Sequence, residues 1–301
     1  MPESNAEHDR PGAGEIADLS GRFRREGTAE ALTIDGVRLQ YWRRGDGPKT
    51  IVFVHGNSAC KEVFAPQFAE LADAGVTLLA FDLPGHGGSS NAAQPQQQYT
   101  IPGYARLLKR AIDALSIDRP LIVGWSLGGH IALEMAGRGF PLAGALIAGT
   151  PPLGPGLDDF AVAMKLTDAG AVTTKADASA AEIRAYVKSL YGTLDPIPDL
   201  FFSTALRTDG EARAIMAQHW LAGVGMCNQR SVAETWEPPL CVVHGLDDPF
   251  ISYDYLKAMS WRNLWAGKIF EFSGIGHAPF LEAPAAFNRI LSDFMREAFA
   301  G

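Results

Sequence analysis

The pentapeptide at residues 124–128 constrains the fold of this chain more than any other segment. It reads G-x-S-x-G, and it lies between a strand-like apolar run at residues 120–123 and a helical pattern at residues 131–136. Such a sharp turn from strand to helix needs small neighbours, because bulk at the glycine positions would collide with adjacent chain. The pattern predicts an exposed Ser126 hydroxyl at a helix N-terminus, although glycine-rich chains also produce it in ordinary tight turns.

Strand and helix patterns alternate through the first half of the chain. Apolar strand-like runs lie at residues 37–43, 51–54, 76–81, 120–123 and 145–148. Helical patterns at residues 64–74 and 102–115 separate them, and the turn residues at 45–48 predict a hairpin between the first two runs. Near-continuous apolar strands alternating with helices are typical of a parallel sheet covered on both faces.

The alternation stops after residue 152 and resumes at residue 240. The intervening sequence is Ala-rich with helical spacing, and proline pairs precede and follow it. We expect an α/β core formed by residues 31–152 and 237–301, with a helical cap at residues 153–236 inserted after the sixth strand. An independent second domain is the alternative, but the resumed strands and a final helix at about 284–299 disfavour it.

Composition limits the kinds of partner. Residues 1–30 are expected to be a mobile extension, because they lack the pattern of a signal peptide. The net charge of −8 without a basic cluster argues against a nucleic-acid or anionic-membrane partner, and no apolar stretch approaches the ~18 residues of a membrane span. Cys60, Cys227 and Cys241 are too widely spaced for a zinc site or disulfide framework. These features predict a cytoplasmic protein of undetermined oligomeric state.

Groups able to activate Ser126 follow two later strand-like runs. A serine hydroxyl is nearly inert until a base takes its proton, and the base needs an acid to orient it. Asp247 and Asp248 lie in one loop, and His277 lies in another, within Gly-His-Ala-Pro. Open parallel sheets place ligands beyond the carboxyl ends of their strands. We therefore expect Ser126 to meet His277 and one of the two aspartates.

The remaining histidines are weaker candidates for a base. His8 lies in the N-terminal extension, while His130 and His219 fall on predicted helices as packing or surface residues. His244 ends a strand, where a hydrogen-bonded core role is expected. His86 lies in a glycine-rich turn and is expected to belong to the scaffold.

Two backbone donors are predicted to face a developing oxyanion. One is the N–H of Leu127, directly after the serine, and the other is the N–H of Asn57 in the loop His-Gly-Asn-Ser at 55–58. A plain strand-terminating turn is the alternative for His55-Gly56.

Taken in order, these motifs resemble those of α/β-hydrolase-fold serine hydrolases over about residues 37–299. The resemblance implies a mostly parallel sheet with helices on both faces and a cap. It also implies a triad of Ser126, Asp248 and His277, because the family carries its acid three residues past the position of Gly245; Asp247 is the alternative. A serine at this turn, where epoxide hydrolases and haloalkane dehalogenases carry aspartate, implies ester, lactone, amide or C–C hydrolysis.

The chain is also similar to the metal-independent N-acyl-homoserine lactonases of this fold, the quorum-quenching branch. The similar segments are residues 55–58, 64–67, 124–130, 149–152, 207–210, 228–230, 263–265 and 276–280. The similarity implies lactone ring opening through an acyl-enzyme, with no metal or other cofactor and with a small ester or lactone as substrate. A general carboxylesterase or a C–C hydrolase of ring-cleavage products is the enzymatic alternative, and a noncatalytic ligand-binding relative is another.

Several side chains are candidates for substrate contact. An apolar acyl channel would suit four residues, for which core packing is equally consistent: Trp125, Phe64, Met164 and Trp220. Tyr186 matches a tyrosine position in the lactonases and would bond the substrate amide or carbonyl, unless it is simply packed or exposed. The Asn57 side chain is a second candidate at the lactone.

Overall fold

The computed structural model describes residues 27–71, 74–154, 157–223 and 225–300. Its centre is one eight-stranded sheet with the order β1-β2-β4-β3-β5-β6-β7-β8. The strands are β1 Thr28–Ile34, β2 Val37–Arg44, β3 Thr50–Val54, β4 Thr77–Phe81, β5 Leu121–Trp125, β6 Gly144–Ala148, β7 Leu240–Gly245 and β8 Phe270–Phe272. Strands β3 to β8 pair in parallel, while β1 and β2 form an antiparallel edge. The predicted α/β-hydrolase fold is confirmed.

Some of the helices pack with the sheet, and others lie between β6 and β7 in the chain. Those that pack with the core are α1 Ala65–Glu70, α2 Pro95–Gln98, α3 Ile101–Ala114, α4 Leu127–Gly137, α10 Tyr253–Ala258, α11 Pro279–Glu282 and α12 Pro284–Ala298. Every residue of β3 to β7 is buried, as expected of strands sandwiched between helical layers. Helix α4 is buried from Leu127 to Ala136, so the turn at Ser126 leads directly into a buried helix.

The edge of the sheet differs from the prediction. β2 pairs with β1 and β4, while β3 lies between β4 and β5, so the predicted hairpin of β2 with β3 is wrong. The turn after β2 passes close to the start of β4, since a β-carbon at Gly45 would lie 2.2 Å from the carbonyl oxygen of Val76.

The true hairpin joins β1 to β2 through Asp35-Gly36, both at positive φ. An Asp-Gly pair between alternating strands is a strong hairpin signal that the sequence already carried. The boundary drawn at residue 30 therefore falls inside β1, and the predicted mobility of residues 1–26 lies outside the described residues.

The cap consists of helices placed between β6 and β7, as predicted. They are α5 Leu157–Ala163, α6 Ala180–Leu190, α7 Asp199–Arg207, α8 Gly210–Ala222 and α9 Gln229–Thr235. One anchor joins the cap to the turn after β4: the Asp209 N–H donates to the Gly85 carbonyl at 2.9 Å, and the Tyr99 hydroxyl donates to the Asp209 carboxylate at 2.6 Å. This anchor fixes the cap over the carboxyl end of the sheet. Across the described ranges, no helix is long and apolar enough to cross a membrane.

Candidate active site

Ser126 occupies the turn between β5 and α4. Its φ of +52° and ψ of −116° are strained for a non-glycine residue. The flanking glycines permit the turn: a β-carbon at Gly124 would lie 2.4 Å from the Gly128 carbonyl oxygen, and one at Gly128 would lie 2.0 Å from the Val54 carbonyl oxygen. The serine is thus held in place by close backbone contact on both sides.

His277 and Asp248 form a buried hydrogen-bonded pair. His277 Nδ1 lies 2.7 Å from Asp248 Oδ2, while Oδ1 accepts from the N–H groups of Phe250 at 2.8 Å and Ile251 at 3.2 Å. Burial alone would raise the pKa of Asp248, but the charge and hydrogen bond of His277, with the Phe250 N–H, hold that pKa below its ordinary value. The structure thus places Asp248 beside the histidine, whereas Asp247 is exposed to solvent.

One cavity brings the predicted site residues together. Its volume is about 440 Å³, and its wall includes Ser126, Leu127, Asn57 and His277. With Nδ1–H directed to Asp248, His277 keeps Nε2 as a proton acceptor. Ser126 and His277 therefore line one cavity, and the histidine has a carboxylate bonded to its other ring nitrogen, as an oriented general base requires.

The loop after β3 packs directly against the serine. A β-carbon at Gly56 would lie 3.2 Å from Ser126 Cβ, and Asn57 follows at the cavity wall. Leu127 is the first residue of α4, and the first N–H groups of a helix have no intrahelical acceptor. The Asn57 side-chain oxygen accepts from the Ser58 hydroxyl at 2.8 Å, so this amide is oriented by its neighbour.

The cap supplies most of the apolar wall. Six of its residues on this wall are Phe160, Met164, Tyr186, Met216, Trp220 and Leu221. Tyr186 is buried, and its hydroxyl lies 3.4 Å from the Asn57 carbonyl oxygen, a long and weak hydrogen bond. Burial raises the pKa of Tyr186, so the phenol stays protonated and remains a donor.

Two predicted channel residues lie elsewhere. Trp125 is buried behind the site, where its indole N–H donates to the His277 carbonyl at 2.8 Å and its ring packs on Phe280. Phe64 is equally buried, between Phe53 and Phe280. Core packing, the alternative interpretation, therefore describes Trp125 and Phe64, which do not line this cavity, whereas Met164 and Trp220 do line it.

His130 lies on the cavity wall, a position that helical spacing alone did not reveal. Its Nδ1 bonds Gln229 Oε1 at 2.8 Å, and its ring packs edge-on against Trp220 at 4.3 Å. The Gln229 amide also donates to the His130 carbonyl, which fixes the amide orientation and makes Nδ1 the protonated nitrogen. Burial lowers the pKa of His130 to about 4, so the ring is neutral near pH 7.

His244 is buried in β7, but the hydrogen-bonded role predicted for it is wrong. Within the described residues neither ring nitrogen has a hydrogen-bond partner, and the ring stacks on Tyr253 at 5.2 Å. His86 is buried against His55 outside the cavity wall, as expected of a scaffold residue.

Gly149 and Lys165 are site residues that sequence patterns did not identify. Gly149 touches the His277 ring, and Lys165 of the cap donates from Nζ to the Asp248 carbonyl at 2.8 Å. Gly149 belongs to the segment 149–152 that resembles the lactonases, but no site role was predicted for it. Its position at the end of a strand was the available signal. Nothing local in the sequence distinguished Lys165. In the ranges that the structure covers, no group of three or more His, Cys, Asp or Glu side chains is arranged to hold a metal ion.

Comparison with known proteins places the chain among hydrolases. Residues 51–290 match the profile of the alpha/beta hydrolase family. A solved structure of the N-acyl homoserine lactonase AidH complexed with N-butanoyl homoserine is 33% identical, with a TM-score of 0.84; the match covers 90% of this chain and 97% of the lactonase.

Other relatives have different named activities. Serine hydrolase BPHL of Mus musculus is 25% identical over 288 residues, which cover 89% of this chain and 87% of the mouse protein. The dihydrolipoyllysine-residue acetyltransferase component of the acetoin cleaving system of Cupriavidus necator is 33% identical over 120 residues, or 40% of this chain. The chain spans only 31% of the length of that relative.

Proposed function

Because the chain belongs to the alpha/beta hydrolase family, we propose that it is a serine hydrolase that opens the ring of N-acyl-homoserine lactones. The observation that carries the proposal is the buried bond of 2.7 Å between His277 and Asp248 beside a cavity that Ser126 also lines. A histidine oriented by a carboxylate, in the same cavity as a serine at a helix N-terminus, is suited to acyl transfer.

In the acylation step, His277 Nε2 takes the proton of Ser126 as Oγ attacks the lactone carbonyl. The N–H groups of Asn57 and Leu127 donate to the oxyanion, which lowers the barrier. The ring C–O bond then breaks, and His277 returns the proton to the departing alkoxide. That oxygen becomes the hydroxyl of the homoserine moiety, which remains esterified to the serine.

In the deacylation step, His277 takes a proton from water, and the resulting hydroxide attacks the same carbonyl. The second tetrahedral intermediate uses the same two donors, and its collapse returns the proton to Ser126. The products are free enzyme and N-acyl-homoserine, with one water consumed. Asp248, held ionised by its lowered pKa, stabilises the imidazolium in both steps.

The cap and the comparisons support a lactone over other esters. The cavity wall is largely apolar, which suits an acyl chain, and polar groups of Tyr186 and Asn57 lie close to the serine loop. The similar lactonase, whose complex holds N-butanoyl homoserine, is matched over 97% of its length. The mouse serine hydrolase supports only the broader statement that the chain is a serine hydrolase, which leaves a general carboxylesterase as the alternative.

The direct test offers the full chain three substrates: an N-acyl-homoserine lactone, a p-nitrophenyl ester and a vinylogous diketone. We expect the lactone to gain one water, as detected by mass spectrometry, and to be restored when the product is acidified. Restoration identifies ring opening and excludes amide cleavage. Hydrolysis of the p-nitrophenyl ester or the diketone without lactone opening would overturn the substrate proposal in favour of the carboxylesterase or C–C hydrolase.

A second test examines the nucleophile. Ser126→Ala should abolish turnover while retaining the folded state, because the hydroxyl forms the covalent intermediate. Persisting hydrolysis in Ser126→Ala would contradict the acyl-enzyme mechanism. Ligand binding without turnover in the unaltered protein would favour a noncatalytic binding relative.

A further inference from the structure

Glu282 is a buried carboxylate that binds the backbone on both sides of His277. Its Oε2 accepts from the Gly276 N–H at 3.0 Å, and its Oε1 accepts from the Ala278 N–H at 2.8 Å. Only 1% of the residue is exposed. The two residues that it holds are the immediate neighbours of the histidine, so the carboxylate fixes the segment from which the imidazole projects.

The same carboxylate also reaches the cap. Thr193, three residues after the end of α6, donates its hydroxyl to Glu282 Oε2 at 2.5 Å. Helix α6 carries Tyr186 on the cavity wall. One buried group therefore joins the histidine loop of the core to the element that carries part of the substrate cavity.

The donor set explains why a carboxylate is required at this position. The partners of Glu282 are two backbone N–H groups and one hydroxyl, each of them uncharged. Burial of a charge is costly unless hydrogen bonds compensate it, and bonds to an ionised acceptor are the stronger kind. A glutamine would turn one of its own N–H donors towards these donors, because it offers only one acceptor oxygen.

Close packing leaves the histidine loop little room on its other side. A β-carbon at Gly245 would lie 2.0 Å from the Gly276 carbonyl oxygen, so the loop lies directly against the end of β7. The Trp125 indole N–H donates a hydrogen bond to the His277 carbonyl oxygen. The loop is therefore held by Glu282 on one side and by β7 and Trp125 on the other.

We propose that Glu282 is a positioning residue that sets the place of His277 and couples it to the cap through Thr193. The inference rests on the proposed function of His277 as the base. A residue that merely caps the short helix α11 would affect stability without affecting reactivity. A positioning residue instead changes kcat, because small displacements of a base slow proton transfer.

The test compares Glu282→Gln with Glu134→Gln. Glu134 is a fully buried glutamate outside the cavity wall that accepts from the Cys227 N–H at 2.9 Å and pairs with Arg138 at 2.6 Å, so its variant makes the same substitution at a buried carboxylate away from the site. We expect Glu282→Gln to lower kcat roughly 10- to 100-fold with KM within about threefold, and Glu134→Gln to leave kcat within about twofold. The rate of inactivation by diisopropyl fluorophosphate, which reports serine activation without the substrate, should fall in parallel with kcat.

Thr193 provides a second and milder test. Thr193→Val keeps the shape and removes the donor, so kcat should fall roughly 3- to 10-fold, and Thr193→Ser should restore it because the hydroxyl returns. This pair keeps the inference testable if Glu282→Gln does not fold.

The inference is overturned if folded Glu282→Gln, or Thr193→Val, retains the kcat and inactivation rate of the unaltered protein. A failure of the proposed substrate gives a different result, since the unaltered protein would react with the phosphorofluoridate without opening the lactone. The effect of Glu282 on serine reactivity would then still be measured. An unaltered protein that does not react with the phosphorofluoridate at all overturns both proposals.

Discussion

The imidazole of His277 rests against the backbone of Gly149. A β-carbon at position 149 would lie 2.8 Å from His277 Cε1 and 2.9 Å from its Nδ1. Gly149 also has a φ of +57°, which L side chains rarely adopt. The end of β6 thus supports the ring of the proposed base, and only a residue without a side chain fits there.

Gly149→Ala should therefore inactivate the enzyme more than it destabilises it. The methyl group would push His277 away from the position that Asp248 holds, so kcat should fall by about 100-fold or more. The positive φ adds a loss of roughly 1–2 kcal/mol in the free energy of unfolding. Steady-state kinetics and chemical denaturation measure the two effects.

Gly139→Ala is the matched control. Gly139 has a φ of +71°, and a β-carbon there would have no neighbour within 4 Å. This variant should lose similar stability and keep its kcat. Equal kinetic losses in the two variants would mean that backbone strain, and not contact with His277, explains the effect.

Asp248→Asn should reverse the tautomer of His277. The Asn oxygen would be held by the N–H groups of Phe250 and Ile251, so its NH2 group would face Nδ1. The imidazole proton would then move to Nε2, where the base needs its lone pair. We expect kcat to fall by roughly 10³- to 10⁴-fold, with little change in KM.

Asp247→Asn is the control for that substitution, because Asp247 is exposed in the same loop. Its kcat should stay within about twofold of the unaltered value, since surface substitutions have small effects. If Asp247→Asn proved the more damaging variant in pre-steady-state acylation, the assignment of Asp248 as the acid would be wrong.

The sequence was sufficient to predict the main architecture and to expect that Ser126 and His277 lie near each other, as their shared cavity wall shows. Strand β5, the turn at Ser126 and helix α4 follow from a local pattern that tolerates no other residues at Gly124 and Gly128. His277 was predictable because loops at the carboxyl ends of parallel strands converge. The choice of Asp248 over Asp247 depended on a family resemblance and not on the local pattern.

The sequence could not specify relationships that depend on distant packing. β4 lies between β2 and β3, and no local signal in β2 or β3 identifies a strand that comes later in the chain. Trp125 alternates with its neighbours along a strand that is buried on both faces, so its side of the sheet was ambiguous. The residues of the cavity wall were also not predictable, because they come from separate cap segments that meet only when the cap is packed.

Acid should destabilise the protein partly through His244. Burial is the main cause that lowers its pKa to about 4, from 6.5. The unfolded chain therefore binds a proton that the folded chain excludes, so stability present above pH 6.5 is lost as the pH falls towards 4. The loss at full protonation is roughly 3 kcal/mol by the relation between pKa and free energy.

His244→Phe should flatten this dependence. The phenyl ring retains the stacking on Tyr253 and cannot titrate, and no described hydrogen bond of the imidazole is lost. Urea denaturation between pH 7.5 and pH 4 should show a smaller decrease in the free energy of unfolding than in the unaltered protein. Parallel curves for the two proteins would contradict a lowered pKa at this site.

Tyr186→Phe separates a substrate contact from a structural one. The bond of 3.4 Å to the Asn57 carbonyl is long, so its loss should cost less than about 1 kcal/mol in stability. If the phenol donates to the substrate amide or carbonyl, KM for an acyl-homoserine lactone should rise roughly 5- to 10-fold. KM for p-nitrophenyl acetate, which has no amide, should not change; an equal rise for both substrates would indicate a distorted Asn57 loop.

Ala217→Phe should shorten the acyl chain that the enzyme accepts. Ala217 lies on α8 at the cavity wall, and a phenyl ring there would occupy part of a volume of about 440 Å³. Each methylene that loses its burial costs about 0.8 kcal/mol, or roughly a fourfold decrease in kcat/KM. A series of lactones of increasing acyl length should show little loss for a butanoyl chain and a growing loss for longer chains. A uniform loss across the series would place the acyl chain outside this cavity, because the added ring would then act on the reacting groups and not on the chain.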